Sequence, residues 1–362
     1  MSPVEQYQLN MKRILTALLI TVIALTAGCP RSDRITLVNV SYDPTRELYK
    51  EFNEAFINHY KEIDPNANIR IEVTHGGSSM QARSVINGLE ADVVTLALAY
   101  DIDNIAEHAK LLPPDWQKNP LLPYNSTPYS STVVFLVREG NPKKIETWED
   151  IIRPDVEIVV ADPRTSGVAR WAYLAAWGYV LKRELGGLEK LHDPSAAAEV
   201  AAAHEKAREF ITALYKNVRI LPQGARTASQ AFVQQNNGDV LLDWENQAEL
   251  TINEFGKGLC EIVVPSVSIL AEPPVAILDV HVDKRGTRKI AEAYLKFLYS
   301  KEGQDIVARH YYRPRDEEIL RKYAAHFAEV ELFTIDDVFG GWHKAQQEHF
   351  EAGGVFEQLY AP

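Results

Sequence analysis

Four short turns of this chain combine residue types that can bind an anion through neutral hydrogen-bond donors. Each turn follows an apolar, strand-like run and precedes a helix-like segment; they contain Asp43, Ser78, Ser166 with Gly167, and Ala225. The first turn of a helix has about four backbone N–H groups without intrahelical partners and carries roughly half a positive charge. Several such turns meeting at one point would form an anion site that needs no Lys or Arg.

The same residue types also have an ordinary structural role. Ser, Thr, Asp and Gly are the usual residues at helix N-caps. Asp43 is followed by Pro44, which is typical of a first helical turn, so Asp43 is a good N-cap. Capping explains each turn taken alone, whereas four turns favour a ligand site, because open α/β sheets bind ligands at the carboxyl ends of their strands. The residues alone leave both interpretations open.

Trp244, in "LLDWEN", directly follows another predicted strand. Its indole N–H donates a hydrogen bond and cannot accept one, so it suits an anion. The alternative is a buried aromatic of the core. Asp243 precedes it, and the direction of that carboxylate decides whether Trp244 can face an anion.

No catalytic motif accompanies these turns. The sequence has no G-x-S-x-G elbow, no H-E-x-x-H, no P-loop and no G-x-G-x-x-G after a strand. Its two cysteines, Cys29 and Cys260, cannot form a cysteine metal site, and its ten histidines are scattered. We therefore predict no catalytic residue, no metal and no cofactor.

Alternating strand and helix patterns must position the turns. A strand over 34–40 and a helix over 44–61 begin this alternation, which predicts an α/β fold with mostly parallel sheets. Two extended, Pro-containing connections, 111–131 and 270–280, bracket a middle block. We therefore predict two α/β lobes joined by two crossovers. Their predicted limits are 34–120 plus 272–313 for lobe I, 121–271 for lobe II, and 314–362 for a C-terminal helical extension packed on the lobes.

Composition limits the possible partners. The chain has 362 residues, 46% of them hydrophobic, and a formal net charge of −12 without a basic block. This acidity argues against nucleic acid or an anionic membrane surface as a partner. It also means that local donors, rather than long-range attraction, must hold any bound anion.

Residues 1–29 have the pattern of a secretory leader. Met11-Lys12-Arg13 precedes an apolar run over 14–27, which is shorter than the about 20 residues of a membrane span, and small residues follow. Met11 is the expected start of translation. "LTAGC" is similar to a lipobox, which predicts lipidation at Cys29; plain secretion with an incidental cysteine is the alternative.

Many short stretches of the sequence resemble those of a single known protein family. They are "NVSYDPTREL", "THGGSS", "VINGLEADVVTLALAYD", "DPRTSGVAR", "YLAAWGY", "GARTASQAFV", "YRPRD" and "DDVFGGW". From about Ile35 to its C-terminus the chain resembles the periplasmic sulfate-binding proteins, the substrate-binding subunits of sulfate ABC transporters. This resemblance implies the type II periplasmic-binding-protein fold, with the ligand in the cleft between two lobes.

The resemblance also implies a set of sulfate donors and no cation among them. They are the backbone N–H of Asp43, the hydroxyls of Ser78 and Ser166, the backbone N–H groups of Gly167, Val168 and Ala225, and the indole N–H of Trp244. Arg164 and Arg170 are not in this set, and Val168 stands where the family has glycine.

A sulfate-binding protein of this kind is periplasmic and delivers its ligand to a membrane permease. We expect a monomer whose only membrane contact apart from the permease is a lipid anchor at Cys29. Three alternatives stay open: a thiosulfate-preferring receptor of the same family, an enzyme acting on sulfate esters, and a scavenging or chemosensory receptor.

Overall fold

The structure is a computed structural model that describes residues 34–360. The predicted leader, with Met11 and Cys29, lies outside the described residues. Within 34–360, no helix is both long enough and apolar enough to cross a membrane.

The described chain alternates between short strands and helices. The strands are β1 Ile35–Tyr42, β2 Ile69–Gly76, β3 Val93–Thr95, β4 Tyr129–Ser130, β5 Val133–Arg138, β6 Ile158–Val160, β7 Val218–Ile220, β8 Val240–Trp244, β9 Cys260–Val263, β10 Val267–Ile269, β11 Val275–Ile277, β12 Arg313–Pro314 and β13 Glu331–Phe333. Apart from the short segment Pro123–Ser126, in which Tyr124 and Asn125 have left-handed backbone angles, the α-helices are α1 Arg46–Ile63, α2 Ser78–Ile86, α3 Ala99–Asn104, α4 Trp148–Ile151, α5 Gly167–Leu185, α6 Ala197–Lys216, α7 Ala225–Val233, α8 Glu245–Thr251, α9 Asp279–Arg285, α10 Arg288–Phe297, α11 Lys301–Arg309, α12 Glu317–Lys322, α13 Ile335–Phe339, α14 Trp342–Ala345 and α15 Val355–Tyr360.

A four-stranded sheet with the order β11-β3-β1-β2 is the centre of lobe I. Strand β1 lies parallel to both β2 and β3, and its last pair is Tyr42 with Gly76. Parallel strands are normally covered on both faces, and β3 is accordingly buried along its whole length. Because β1 and β2 end side by side, Asp43 and Ser78 begin the next elements at the same edge of the sheet.

A five-stranded sheet with the order β7-β6-β8-β5-β9 is the centre of lobe II. Strand β6 lies between β7 and β8 and is parallel to both. The turns after β6 and β7 and the end of β8 therefore lie at one edge. These segments contain Ser166, Ala225 and Trp244 respectively.

Both sheets also contain an antiparallel strand, which the strand–helix alternation did not predict. Strand β11 is antiparallel to β3, and β5 is antiparallel to both β8 and β9. Each of these two strands follows directly after a crossover between the lobes. A strand–helix–strand connection returns the chain to the same end of the sheet, whereas a crossover brings it to the opposite end, so the strand runs antiparallel.

Helix α5 begins directly after the turn that contains Ser166, and it is buried on nearly every side. It packs against α6 and β10. A Cβ atom at Gly178 would collide with the ring of Phe333, so this glycine lets the C-terminal extension lie close to the helix. Burial along its length holds the N-terminus of α5 in a fixed position at the sheet edge.

The C-terminal extension packs mainly on lobe II. Strand β13 pairs in parallel with β10, and the ring of Trp342 lies edge-on to Trp171 at 4.6 Å between ring centroids. Phe356 contacts Tyr215 in the same way at 5.1 Å. We propose that the predicted limits of the two lobes and of this extension divide the chain into its structural units.

Candidate anion-binding site

Ser166 stands at the N-cap of α5 without capping the helix. Its backbone is extended and its side chain accepts no hydrogen bond from the first turn. The residue is 2% exposed, and its backbone N–H donates to the oxygen of Asp162 at 2.8 Å. Among the described residues, the Ser166 hydroxyl therefore remains available to a ligand, together with the N–H groups of Gly167 and Val168 in the first turn.

Two arginines hold the turn that precedes α5. Arg164 Nη2 lies 2.7 Å from Asp162 Oδ2. Arg170 Nε donates to the backbone oxygen of Pro163 at 2.7 Å, and its Nη1 donates to Gln346 Oε1 at 2.9 Å. These donors shape the turn and are directed at protein acceptors.

Asp43 begins a short 3-10 turn directly after β1. The side chain of the neighbouring Thr45 donates to the oxygen of Tyr42 at 2.6 Å and so braces this turn. Burial raises the pKa of the Asp43 carboxyl, and Arg46 and Arg226 lower it in part. The backbone N–H of Asp43 belongs to the first turn after β1, as the anion hypothesis requires.

Ser78 is the first residue of α2, and its hydroxyl is fully engaged. Ser78 Oγ donates to Asp101 Oδ2 at 2.5 Å and accepts from the backbone N–H of Ala97 at 3.0 Å. A hydroxyl has a single hydrogen. In this arrangement Ser78 can offer an anion its backbone N–H, whereas its hydroxyl would first have to leave Asp101.

Ala225 is the first residue of α7, and the preceding Gly224 is the N-cap residue of this helix. The backbone N–H of Gly224 donates to Thr227 Oγ1 at 3.1 Å. This leaves the N–H of Ala225 in the first helical turn, where intrahelical acceptors are missing.

Trp244 is completely buried, and its indole N–H has no hydrogen-bond partner among the described residues. Its ring meets Tyr42 of lobe I edge-on, with 5.6 Å between the ring centroids. A buried N–H without a partner costs free energy of about 1–3 kcal/mol. A ligand that accepts this hydrogen bond would remove that cost.

The carboxylate of Asp243 is held by protein donors. Asp243 Oδ1 accepts from the backbone N–H of Trp244 at 2.8 Å, and Oδ2 accepts from Ser229 Oγ at 3.4 Å. The residue is 1% exposed, and burial raises the pKa of its carboxyl group to about 7. Asp243 does not line the cavity described next.

One small cavity, with a volume of about 10 Å³ open to the centre of a water-sized sphere, brings these turns together. Six of the seven predicted donors line it: Asp43, Ser78, Ser166, Gly167, Val168 and Ala225. The seventh, Trp244, packs against Tyr42, which is itself part of the lining. The predicted donors of both lobes are therefore neighbours in space.

The cleft around this cavity is closed. A Cβ atom at Gly77 would lie 2.5 Å from the backbone oxygen of Thr165, and one at Gly167 would lie 2.8 Å from the Cβ of Ala97. Trp171 Nε1 of lobe II donates to the backbone oxygen of Ala97 in lobe I at 2.9 Å. The lobes thus touch directly through backbone and small residues beside the cavity.

A larger cavity of about 260 Å³, measured in the same way, has Trp171 in its lining. Carboxylates of Asp103, Glu272 and Asp336 line it as well. Because these negative charges would repel an anion, the smaller cavity is the better anion site. In the described part of the chain, no group of three or more His, Cys, Asp or Glu residues is placed to hold a metal ion.

The fold and cavity agree with a match to a known family. Residues 37–313 match the family described as bacterial extracellular solute-binding protein. The chain belongs to this family. The predicted two-lobed α/β fold is confirmed by the matching solved structure described below.

Three relatives of this solute-binding protein have names that refer to an oxyanion. A sulfate-binding protein of Escherichia coli (strain K12) is 54% identical, covering 92% of this chain and 96% of the relative. A thiosulfate-binding protein of Pseudomonas aeruginosa is 47% identical, covering 97% of this chain and 100% of the relative. The solved structure of the sulfate-binding protein SubI from Mycobacterium tuberculosis H37Rv has a TM-score of 0.72 at 26% identity, covering 87% of this chain and 99% of that chain.

The cavity of this solute-binding protein also has lining residues that the sequence did not predict as donors. They are Tyr42, Pro44, Gly76, Gly77 and Ala97. The first four lie within two residues of a predicted donor in the chain, so the turn motifs already pointed to them. Ala97 lies in a buried apolar run, and nothing in its residue type indicates a contact with Ser78.

Proposed function

We propose that this solute-binding protein captures sulfate outside the cytoplasm and delivers it to the permease of an ABC transporter. The observation that carries the proposal is the convergence of neutral donors from both lobes on one cavity. The unpartnered indole N–H of Trp244, buried beside that cavity, adds a donor that lacks an acceptor among the described residues.

The donor set suits a fully ionised anion. Sulfate offers only acceptors at neutral pH, and a buried dianion is costly unless its oxygens are hydrogen-bonded. Among the described residues that line the cavity there is no Lys, Arg or His. Helix first turns at Ser78, Gly167 and Ala225 would supply partial positive charge instead.

The same donors would discriminate against phosphate. Phosphate keeps a proton at neutral pH, and its O–H needs an acceptor. A cavity that presents donors leaves this O–H unpaired, which costs about 1–3 kcal/mol. Asp43 is the one carboxylate in the described lining, and we propose that it contributes its backbone N–H while Arg46 and Arg226 offset its charge.

Closure of the lobes would complete the site. Lobe I would supply Asp43 and Ser78, and lobe II would supply the remaining donors. Hinge closure of this kind is a known device of periplasmic binding proteins, which are among the standard examples of it. Closure also excludes water, which strengthens each hydrogen bond to the anion.

Thiosulfate is the second candidate ligand. The thiosulfate-binding protein of P. aeruginosa is 47% identical to this chain. Thiosulfate is also a tetrahedral dianion with acceptors only, so the same donors would serve it. Competition between the two anions for one site would decide which of them binds more tightly.

A binding function without catalysis fits the relatives, which are named as binding proteins. No nucleophile–base pair lines the cavity within the described residues. We propose that the protein does not hydrolyse sulfate esters. Release of sulfate from an aryl sulfate ester by the pure protein would contradict this.

Calorimetric titration of the purified mature protein with sulfate, thiosulfate, molybdate and phosphate tests the proposal. We expect saturable binding of sulfate or thiosulfate with one site per chain, and about five- to a hundredfold weaker binding of phosphate. The absence of a heat signal with both sulfur oxyanions would contradict the proposed function.

A further inference from the structure

Asp101 is a buried carboxylate that lies behind the candidate anion site. It is 1% exposed and belongs to α3, outside the lining of the anion cavity. Its Oδ2 accepts from Ser78 Oγ at 2.5 Å, and its Oδ1 accepts from Ser79 Oγ at 2.9 Å. One carboxylate therefore binds the first two side chains of α2.

The nearest cation of lobe II does not donate to Asp101. Arg170 is also buried, and its Nε and Nη1 donate to Pro163 and Gln346 respectively. Arg83, Tyr100 and Asp103 are the other charged or titratable groups close enough to Asp101 to interact with it electrostatically. A buried carboxylate is costly without hydrogen bonds, so the two serine hydroxyls are important to Asp101.

The hydrogen of Ser78 thus has two possible acceptors. In the structure, Ser78 Oγ donates this hydrogen to Asp101. The other hydrogen bond of Ser78 Oγ is one that it accepts from the backbone N–H of Ala97. Bound sulfate would offer a second negatively charged acceptor for the same hydrogen. Because a hydroxyl has only one hydrogen, Ser78 cannot satisfy both acceptors.

We infer that Asp101 limits the sulfate affinity of the site by competing with the bound anion for the hydroxyl hydrogen of Ser78. This inference rests on the proposed function. It makes Asp101 the residue that sets the strength of the hydrogen bond from the Ser78 hydroxyl to sulfate. Asp101 acts through Ser78 and does not touch the ligand. The competition also makes the anion easier to release, which suits a protein that must hand its ligand on.

Substitution of Asp101 by Asn tests the competition. The amide N–H introduced by Asp101→Asn would donate to Ser78 Oγ, while the amide oxygen still accepts from Ser79, so the Ser78 hydrogen becomes free to point at sulfate. We expect Asp101→Asn to lower the Kd for sulfate by about three- to tenfold, the range of one ordinary hydrogen bond.

Two comparisons separate this effect from a general change of charge. Asp103→Asn removes the same charge from the same helix, but Asp103 accepts from Trp116 Nε1 at 2.8 Å and has no hydrogen bond to Ser78. Asp101→Asn should tighten binding more than Asp103→Asn does. In a Ser78→Ala background, the two substitutions should change the Kd equally, to within a factor of about two.

Ser79→Ala provides an independent test if Asp101→Asn does not fold. Without the Ser79 hydroxyl, Asp101 depends more strongly on Ser78, so sulfate binding should weaken although Ser79 does not line the cavity. Unchanged or tighter binding by Ser79→Ala would overturn the inference. So would an Asp101→Asn variant that binds sulfate no more tightly than Asp103→Asn, or a gain that persists without the Ser78 hydroxyl.

These outcomes are distinct from a failure of the proposed function. If the unsubstituted protein does not bind sulfate or thiosulfate in the same calorimeter, the proposed function itself fails. If the unsubstituted protein binds and the variants behave otherwise than expected, only the role of Asp101 is overturned.

Discussion

Gly77 of lobe I and Thr165 of lobe II meet across the closed cleft with no room for a side chain. A Cβ atom on Gly77 would lie 2.5 Å from the backbone oxygen of Thr165. Gly77 has φ −58° and ψ 133°, which an alanine also adopts without strain. The lobe contact, and not the backbone conformation, therefore requires glycine at this position.

Gly77→Ala should hinder closure and weaken sulfate binding. An overpacked contact costs about 1–3 kcal/mol, so the Kd should rise about five- to a hundredfold. The stability of each lobe should change little, since the contact is between the lobes. The matched control is Gly76→Ala: Gly76 also lines the cavity, but its Cβ would meet only Gln81 of its own lobe, at 3.4 Å, so affinity should fall less. Calorimetry and thermal unfolding of both variants test this, and equal affinities of the two would contradict it.

Ser166→Ala should weaken sulfate binding without unfolding the protein. The Ser166 hydroxyl does not cap α5, so its removal should cost little stability. A hydrogen bond to a charged group contributes about 1.5–3 kcal/mol, which corresponds to about a ten- to hundredfold rise in Kd. Thr334 is the contrasting control, because its side chain does cap α13 by accepting from the N–H of Asp337 at 3.1 Å. Thr334→Ala should lower the melting temperature and leave affinity unchanged. If Ser166→Ala also lowers the melting temperature and leaves affinity unchanged, Ser166 is a helix cap and not a ligand donor.

Trp244→Phe should reduce sulfate affinity while keeping the ligand-free protein at least as stable. Phenylalanine retains most of the apolar surface and removes an N–H that has no partner among the described residues. The control is Trp148→Phe, because Trp148 Nε1 donates to the oxygen of Val267 at 2.9 Å. That substitution should lower the free energy of unfolding and spare binding. Unchanged affinity in Trp244→Phe would exclude its indole from the site.

Asp243→Asn should stabilise the protein at alkaline pH. Burial raises the pKa of Asp243 from 3.8 to about 7, so the folded state binds this proton more tightly than the unfolded state does. The contribution of Asp243 to stability is therefore largest below about pH 4 and is lost as the pH rises to about 7. Three pKa units correspond to about 4 kcal/mol, which is the upper limit of the expected gain at pH 8.

Denaturant unfolding of Asp243→Asn and of the unsubstituted protein at pH 4, 6 and 8 measures this effect. The difference in unfolding free energy should grow with pH. A variant that is destabilised to the same extent at all three values would show that the Asp243 carboxylate is satisfied by its bonds to Trp244 and Ser229.

The elements that carry the donors were predictable because their signals are local. The sequence predicts a strand over 34–40 and a helix over 44–61, and the structure has β1 Ile35–Tyr42 and α1 Arg46–Ile63. Apolar strands, Ser- and Gly-rich turns and helical periodicity all act over a few neighbouring residues. The family resemblance then named seven donors, and six of these line one cavity.

The features that were not predictable depend on contacts between distant segments. The bond of Ser78 to Asp101 joins residues 23 positions apart, and nothing in either motif indicates it. The antiparallel direction of β5 and β11 follows from the crossovers, which strand–helix alternation does not encode. The Trp244 indole N–H has no partner within the described chain. This depends on the positions of all neighbouring acceptors, which the local sequence does not encode.

We propose that neutral donors from two lobes bind a fully ionised tetrahedral anion. The most direct test of this proposal is a calorimetric titration with sulfate at pH 7 and 8, with phosphate titrated under the same conditions. We predict one saturable sulfate site per chain and phosphate binding that is about five- to a hundredfold weaker at both pH values, because the donor-lined cavity leaves the O–H of phosphate unpaired. Phosphate binding as tight as that of sulfate, or no binding of sulfate at either pH, would contradict the account.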